Sequence, residues 1–302
     1  MRKKAAIALG LLVTAVALAV ATNAKRFASG VFDRSPLCSY REAWAAFRDG
    51  ANRRQFSQQL RAASQRLWEG GDGFDLWQTP RGGWWIPAYE SHVLYSLLTE
   101  QEHNIYSTGG RGVRPGDIVL DCGAHVGVFT VTALRAGAAR VVAIEPGPEA
   151  LTCLRANLAK EIAAGRVIVY PKGVWSKDDS LILSADDSSA GRSVMRHPRD
   201  TRGLIRVPLT TIDKIVAELQ LERVDFIKMD IEGAEVPALE GARGTLARFK
   251  PRLAIAGYHN RDDAITIPAA VLKAYSGYRF ECGPCRGPLA NRPEVLFFTP
   301  PS

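Results

Sequence analysis

Cysteine is scarce in this chain: five in 302 residues, Cys38, Cys122, Cys153, Cys282 and Cys285, unevenly spread and with two inside predicted core elements. Folds that depend on cross-links are dense in cysteine, so no disulfide framework is expected, and the main domain reads as a reducing-compartment protein. There is no internal repeat and no stretch biased enough to make disorder the dominant state. Aromatic residues are missing from the basic segment Arg192, Arg196, Arg199, Arg202 and Arg206. Without rings to stack on bases, that segment argues against a nucleic-acid partner and reads as a solvated loop. The net charge of +8 and pI near 9.4 still favour anionic surroundings, whether lipid headgroups or an acidic substrate.

The length suits one sizeable core with an appendage, and divides as 1–26, 27–110 and 111–302. The first part is of a different kind from the rest. Arg2, Lys3 and Lys4 precede Ala5 to Thr22, an uncharged run closed by Lys25 and Arg26. This is a membrane anchor or a signal segment, with Ala19-Val20-Ala21 as a candidate cleavage site; an uncleaved single-pass anchor through residues 5–22 is the expectation. Arg2, Lys3 and Lys4 are matched by Lys25, Arg26, Arg34 and Arg41 on the other side, so the positive-inside bias nearly cancels.

Residues 27–110 read as a helical and then turn-rich extension packed on the main domain. Gly70-Gly71-Asp72-Gly73 and Thr79-Pro80-Arg81-Gly82-Gly83 are turn signals. Five of the six tryptophans, Trp44, Trp68, Trp77, Trp84 and Trp85, fall here and read as core edge or interface.

From Gly116 onward, short apolar runs alternate with amphipathic helices. Ile118–Leu120, Val141–Ile144, Val167–Tyr170, Phe226–Met229 and Leu253–Ala256 are continuous, as parallel strands buried on both faces should be. Leu151, Leu154, Leu158 and Ile162 make one helical face after Pro148, and Thr210 or Thr211 caps a helix before Ile212. The pattern predicts an α/β, Rossmann-like, doubly wound sheet, mostly parallel. Tyr278–Glu281 and Val295–Phe298 form a late hairpin, so one terminal strand must run antiparallel. Cys282-Gly283-Pro284-Cys285 sits in that hairpin loop rather than at a helix start, and reads as a turn with incidental cysteines.

The most informative stretch is Asp121-Cys122-Gly123-Ala124-His125-Val126-Gly127. A strand ends at Asp121, and two glycines form the turn into a helix, where backbone can approach a ligand. A dinucleotide site would want G-x-G-x-x-G; the third glycine is missing, and an acid stands where a phosphate cradle would be. That suits a ligand with an ammonium group, such as the methionine end of S-adenosylmethionine. Eighteen residues after Gly127, a second strand ends in Glu145-Pro146, placing a carboxylate where both ribose hydroxyls of a nucleoside could donate to it.

Asp121 to Thr130, Ile144-Glu145-Pro146 and Asp225-Phe226-Ile227-Lys228-Met229-Asp230-Ile231-Glu232-Gly233-Ala234-Glu235 together resemble the FkbM family of S-adenosylmethionine-dependent methyltransferases. The resemblance runs from about Thr79 to Phe298 and takes in Glu102-His103-Asn104-Ile105-Tyr106, Leu209-Thr210-Thr211-Ile212-Asp213, Leu239-Glu240-Gly241-Ala242 and His259. It implies a class I methyltransferase fold of seven strands with the last antiparallel, acting on a hydroxyl oxygen. His125 stands where the family usually has Asn, and Lys172 follows the third strand where an acid or amide is common, so Lys172 is not taken as a cofactor residue.

The cofactor residues expected are thus Asp121, Gly123, His125, Gly127 and Glu145, with S-adenosylmethionine as the cofactor. That cofactor is made in the cytosol, so the folded domain is expected to face it. Alternation along the third motif points Lys228, Asp230 and Glu232 to one side, and three such charges are costly to bury unless they pair or meet a ligand. Asp230 or His259, the latter with an ordinary pKa near neutrality, could take a proton from a hydroxyl acceptor. Asp230 and Glu232 could instead hold a cation through oxygen, yet no third carboxylate follows at a fixed spacing, so no metal is expected. The acceptor suggested by the resemblance is a small molecule, a sugar, a lipid-linked glycan or a polyketide-like hydroxyl. Two alternatives remain: a nicotinamide-dependent oxidoreductase, and a catalytically silent relative whose extension docks a partner or membrane.

Overall fold

The computed structural model describes residues 35, 37–71, 73–184, 204–286 and 292–301. The membrane reading rests on residues 1–26, which lie outside these, as do Arg192, Arg196, Arg199 and Arg202 of the basic segment. Among the described residues no helix is long and apolar enough to cross a membrane.

The extension begins with helix α1 (Tyr40–Ala62), started by a capping box in which Ser39 Oγ accepts from the Glu42 amide and the Glu42 carboxylate accepts from the Ser39 amide. Strands β1 (Gln65–Glu69), β2 (Phe74–Thr79) and β3 (Gly82–Pro87) follow as an antiparallel meander, then helix α2 (Leu94–Glu102). The stretch read as turns is therefore also a small sheet. Its Thr79 to Gly82 turn joins β2 to β3, and its indoles supply the β-forming bulk. Trp84, Ile86, Leu94 and Leu98 pack with Val126, Val128 and Cys153 of the main domain. Asn157 grips β3 by accepting from the Trp85 amide at 2.7 Å and donating to the Trp85 carbonyl at 2.9 Å.

The main domain then alternates β4 (Ile118–Cys122), α3 (Val128–Arg135), β5 (Arg140–Ile144), α4 (Pro148–Asn157), α5 (Ala159–Ala163) and β6 (Val167–Tyr170). A side sheet of β7 (Gly173–Val174), β8 (Asp179–Ser184) and β9 (Leu204–Thr210) intervenes. After it come α6 (Ile212–Glu218), β10 (Phe226–Met229), α7 (Glu235–Glu240), α8 (Arg243–Phe249), β11 (Arg252–Ala256), α9 (Asp263–Ala274), β12 (Arg279–Cys282), the short pair β13 (Cys285–Arg286) and β14 (Arg292–Pro293), and β15 (Val295–Thr299). Thr211 is the cap of α6, accepting from the Lys214 amide at 3.0 Å.

Seven strands form the central sheet in the order β12-β15-β11-β10-β4-β5-β6. Neighbours from β11 to β6 are parallel, and β15 runs antiparallel to both β11 and β12. This is the mostly parallel α/β sheet expected, with its last strand reversed. The order turns back on itself at β4, flanked by β5 on one side and β10 on the other, so ligands should meet the carboxyl ends of these strands. The middle strands are mostly apolar because helices cover both faces, Asp121 of β4 and Lys228 of β10 being exceptions; Leu120, Ile144, Ile227 and Ile255 pack on one side, Val119, Val141, Phe226 and Ala254 on the other. The helical face read after Pro148 is broken at Leu158 between α4 and α5, yet Leu154 and Leu158 still bury against Ala143 and Val167.

Two cysteines correct the sequence reading. Cys38, at the foot of α1, and Cys285, in β13, form a disulfide with Cα atoms 6.1 Å apart across 247 residues. Sparse, scattered cysteines argued against it, but the fold lays the start of the extension on the terminal hairpin. Cys285 is therefore not incidental, and the basis for reading a reducing-compartment protein is removed. Cys122, Cys153 and Cys282 are free.

Candidate active site

Gly123 follows β4 with φ +78, and a Cβ placed on it would sit 2.0 Å from the Asp230 carbonyl oxygen, so only glycine lets the ends of β4 and β10 lie this close. Gly127 has φ +93 and packs so near Leu158 that a Cβ would meet its Cδ1 at 2.8 Å. Its value lies in letting α3 start against α4. Between them His125 is left-handed, with φ 51, and its amide donates to Glu145 Oε2 at 2.9 Å. The other oxygen of Glu145 accepts from the Gly147 amide at 2.8 Å. Two backbone donors therefore fix the carboxylate at the end of β5, on the wall of a cavity of about 390 Å³. Burial pushes the Glu145 pKa up, with His125 and the Gly147 amide opposing it in part.

Beside Glu145 the cavity is lined by Pro146, Val174, Trp175, Leu181 and Leu209, an apolar slot next to a carboxylate. A nucleoside fits that pairing: its hydroxyls have an acceptor and its base has a dry wall. The His125 side chain lies against the extension, its Nε2 2.8 Å from Glu90 Oε2.

Asp121 takes a place different from the one expected. It is fully buried and absent from the cavity wall. Thr130 Oγ1 donates to its Oδ2 at 2.6 Å, and Lys228 Nζ lies 3.3 Å from its Oδ1. The β10–β4 register sets Lys228 beside Asp121, so the strand-end acid neutralises a buried lysine instead of facing a ligand ammonium. Lys228 Nζ also donates to the Gly123 carbonyl at 2.8 Å and so stiffens the glycine turn. Burial works to lower the Lys228 pKa, but Asp121 and Asp230 outweigh it and hold it above the usual value.

The other end of the cavity gathers Asp230, Glu232 and His259, all on its wall with Lys228. His259 Nδ1 lies 2.9 Å from Glu235 Oε1, and its Nε2 lies 3.3 Å from Asp230 Oδ1 and 3.7 Å from Glu232 Oε2. Tyr106 Oη donates to Asp230 Oδ2 at 2.6 Å, and Tyr258 Oη is 3.5 Å from Asp230 Oδ1. Burial alone would raise the Asp230 pKa; the adjacent His259, the charge of Lys228 and the hydrogen bond from Tyr106 overcome it and hold Asp230 well below the carboxylate range. Burial would likewise lower that of His259, yet Asp230 and Glu235 lift it to about 11. A histidine held this high keeps its proton at neutral pH, which weighs against the reading of His259 as the group that takes one. Glu232, left-handed at φ 58, is pushed by burial up to about 7, with His259 opposing in part. Within the Asp230–Glu232–His259 cluster it is the carboxyl whose affinity for a proton is matched to neutral pH.

Ligand atoms of Asp230, Glu232 and His259 lie within 4.8 Å of one another. The third donor that sequence spacing did not supply is thus a histidine from the next strand. Sequence reasoning gave no role to Glu100, Tyr106, Tyr258, Glu235 or Arg286. Tyr106 and Glu235 lie inside stretches that carry the family resemblance, and the two strand-end residues Tyr258 and His259 are adjacent in the chain. Glu100 and Arg286 offered no signal.

A sheet of this order, with glycine turn, strand-end carboxylate and charged cluster at its carboxyl edge, defines a methyltransferase-like α/β protein. A family model, Methyltransferase FkbM domain, matches residues 121–280. The chain belongs to that family and is a methyltransferase of it. It is 26% identical over 221 residues to the 31-O-demethyl-FK506 methyltransferase FkbM of Streptomyces tacrolimicus, covering 63% of this chain and 83% of that one. It is 29% identical over 218 residues to the AMB antimetabolite synthetase AmbE of Pseudomonas aeruginosa; the match covers 60% of this chain but spans only 10% of the synthetase. A crystal structure of methyltransferase FkbM from Methylobacillus flagellatus superposes with a TM-score of 0.49 at 23% identity, covering 83% of this chain and 60% of that one.

Proposed function

We propose that the chain transfers a methyl group from S-adenosylmethionine to a hydroxyl oxygen of a small molecule or glycan. The observation that carries this reading is one cavity with a backbone-fixed carboxylate beside an apolar slot at one end and an Asp230–Glu232–His259 cluster at the other. Glu145 would hold the ribose hydroxyls, with the base between Pro146 and Trp175. Bound S-adenosylmethionine supplies an electrophilic methyl on a sulfonium. The relative from Streptomyces, which by its name methylates an oxygen of demethyl-FK506, supports a hydroxyl acceptor.

Catalysis by this chain is then mostly positioning, with one proton to move. Glu232 takes the acceptor's hydroxyl proton as the new oxygen–carbon bond forms and the carbon–sulfur bond breaks. Asp230, ionised and held by Tyr106 and His259, orients the acceptor and offsets positive charge near the transferred methyl. His259 stays protonated and keeps two carboxylates together that would otherwise repel.

A second reading comes from the spacing of the same three groups: a divalent cation held by Asp230, Glu232 and His259 Nε2, with Glu235 fixing the ring through Nδ1. A cation there would take over the charge balance now given by the imidazolium proton. The discriminating test is chelation.

For the cofactor, the test is calorimetric titration with S-adenosylhomocysteine, with NADH as the control for an oxidoreductase. Micromolar binding of the first and none of the second is expected. Binding of NADH alone would sink the proposal.

A further inference from the structure

The cavity does not end at Asp230. A second chamber of about 400 Å³ lies between α1, α2 and the terminal hairpin, and Ser96, Glu100 and Arg286 stand on the walls of both. The reacting hydroxyl must reach Glu232 and Asp230 in the first cavity. The rest of an acceptor can extend outward or into this chamber. Its lining is polar almost throughout, with Ser57 and Gln58 from α1 and Thr99 from α2.

The charges in it divide into paired and unpaired. Arg53 is taken, 2.6 Å from Asp49 and 2.7 Å from Glu294. Among the described residues, neither Arg54 nor Arg286 has a carboxylate within 4.0 Å. Arg286 is held instead over the ring of Tyr258, 4.3 Å from its centroid, and Tyr258 Oη in turn reaches Asp230. An exposed guanidinium thus stands one ring away from the cluster that would do the chemistry. Glu100 and Glu294 lie near enough for their charge to act on Arg286, and burial and the charge of Asp230 push the Glu100 pKa up to about 7. A guanidinium on the wall of a polar chamber, with no carboxylate within 4.0 Å among the described residues, is suited to a planar or tetrahedral oxyanion.

We propose that the second chamber is the docking subsite of the acceptor, and that the acceptor is a hydrophilic molecule bearing an anionic oxygen group, a carboxylate or a phosphate, gripped by Arg286 with Arg54 at the rim. Its hydroxyl is thereby presented to Glu232 and Asp230. The inference rests on the methyltransferase reading above and deepens it. The disulfide supports the geometry, because Cys285 immediately precedes Arg286 and pins that end of the chamber to the foot of α1.

The test uses the full chain saturated with S-adenosylhomocysteine, titrated with glucuronate, glucose 6-phosphate and uncharged methyl glucoside by ligand-observed NMR. At least one anionic probe should bind about tenfold more tightly than the glucoside, and whichever anion binds tighter identifies the group. Arg286→Ala should erase the preference, Arg286→Lys should keep part of it, and Arg54→Ala should reduce it about threefold. Affinity for S-adenosylhomocysteine should stay within about twofold in each variant. Equal binding of glucoside and anions, binding of none of them by protein that holds S-adenosylhomocysteine, or an unchanged preference in Arg286→Ala overturns the proposal. Failure to bind S-adenosylhomocysteine strikes the methyltransferase reading first, and the subsite falls with it.

Discussion

The two ends of the cavity are assembled by different means. At the end proposed for the cofactor, Gly123, His125, Gly127 and Glu145 come from two adjacent strands and the turns that follow them, and backbone amides do most of the holding. At the end proposed for the acceptor, Glu100 and Tyr106 come from the extension, Asp230 and Glu232 from the turn after β10, Tyr258 and His259 from the loop after β11, and Arg286 from the terminal hairpin. The first end is organised by glycine turns, the second by charges that balance only when several distant elements are in place. A rigid half beside an assembled half is a division suited to binding one fixed ligand and one variable ligand.

If that division is right, the largest effect belongs to the proton-taking group. Glu232→Gln should lower single-turnover methyl transfer by about 10²- to 10⁴-fold while leaving the affinity for S-adenosylhomocysteine unchanged. In the unmodified protein the rate should climb as pH rises through about 7, where Glu232 gives up its proton, and then level off. With His259 lifted to about 11, no inflection at the ordinary histidine pKa should appear. A profile that rises near pH 6.5 and survives Glu232→Gln would return the role of base to His259.

Next in size is the cost of breaking the charge cluster. Asp230→Asn keeps the shape but removes one of the carboxylates around Lys228 and His259, which retain Asp121 and Glu235, and should cost up to about 3 kcal/mol in denaturant unfolding at pH 7. The sign with pH follows from the shifts. Asp230 is held low, so its contribution is present above the ordinary carboxylate range and is lost as pH falls below it. His259 is held high, so its share is complete below the ordinary histidine pKa and is lost as pH rises through about 11. Reduction of Cys38–Cys285 should cost about 2 to 4 kcal/mol, read as a lowered midpoint, and should disturb the acceptor end alone because Arg286 is its neighbour.

Smaller effects separate the cofactor end from the metal reading. Glu145→Ala removes charge-assisted hydrogen bonds of about 1.5 to 3 kcal/mol, a ten- to hundredfold loss of S-adenosylhomocysteine affinity by calorimetry. Treatment with EDTA should change methyl transfer by less than about twofold if His259 carries a proton rather than a cation beside it. A larger loss, restored by one divalent ion, would transfer the cluster to the metal reading.

How much of this was legible depends on the same division. The strands from Ile118 to Ala256 showed themselves as apolar runs because both sheet faces are covered, and Glu145 showed itself because strand, acid and proline stand together in the chain. Asp121 was found for the right local reason and given the wrong partner: which neighbour a strand-end acid meets is set by register with β10, and register is not written in either strand alone. His259 was located, but its charge state follows from Glu235 and Asp230, residues 24 and 29 positions away that close on it only in the fold. Arg286 and the disulfide were out of reach, since both depend on a hairpin folding back onto the first helix.

The division can be put to one direct measurement: calorimetric affinity for S-adenosylhomocysteine in the unmodified chain, in Glu145→Ala and in Asp230→Asn, side by side. The account predicts about ten- to hundredfold weakening in Glu145→Ala and less than about threefold in Asp230→Asn. The reverse order, or no binding by the folded unmodified chain, would contradict it.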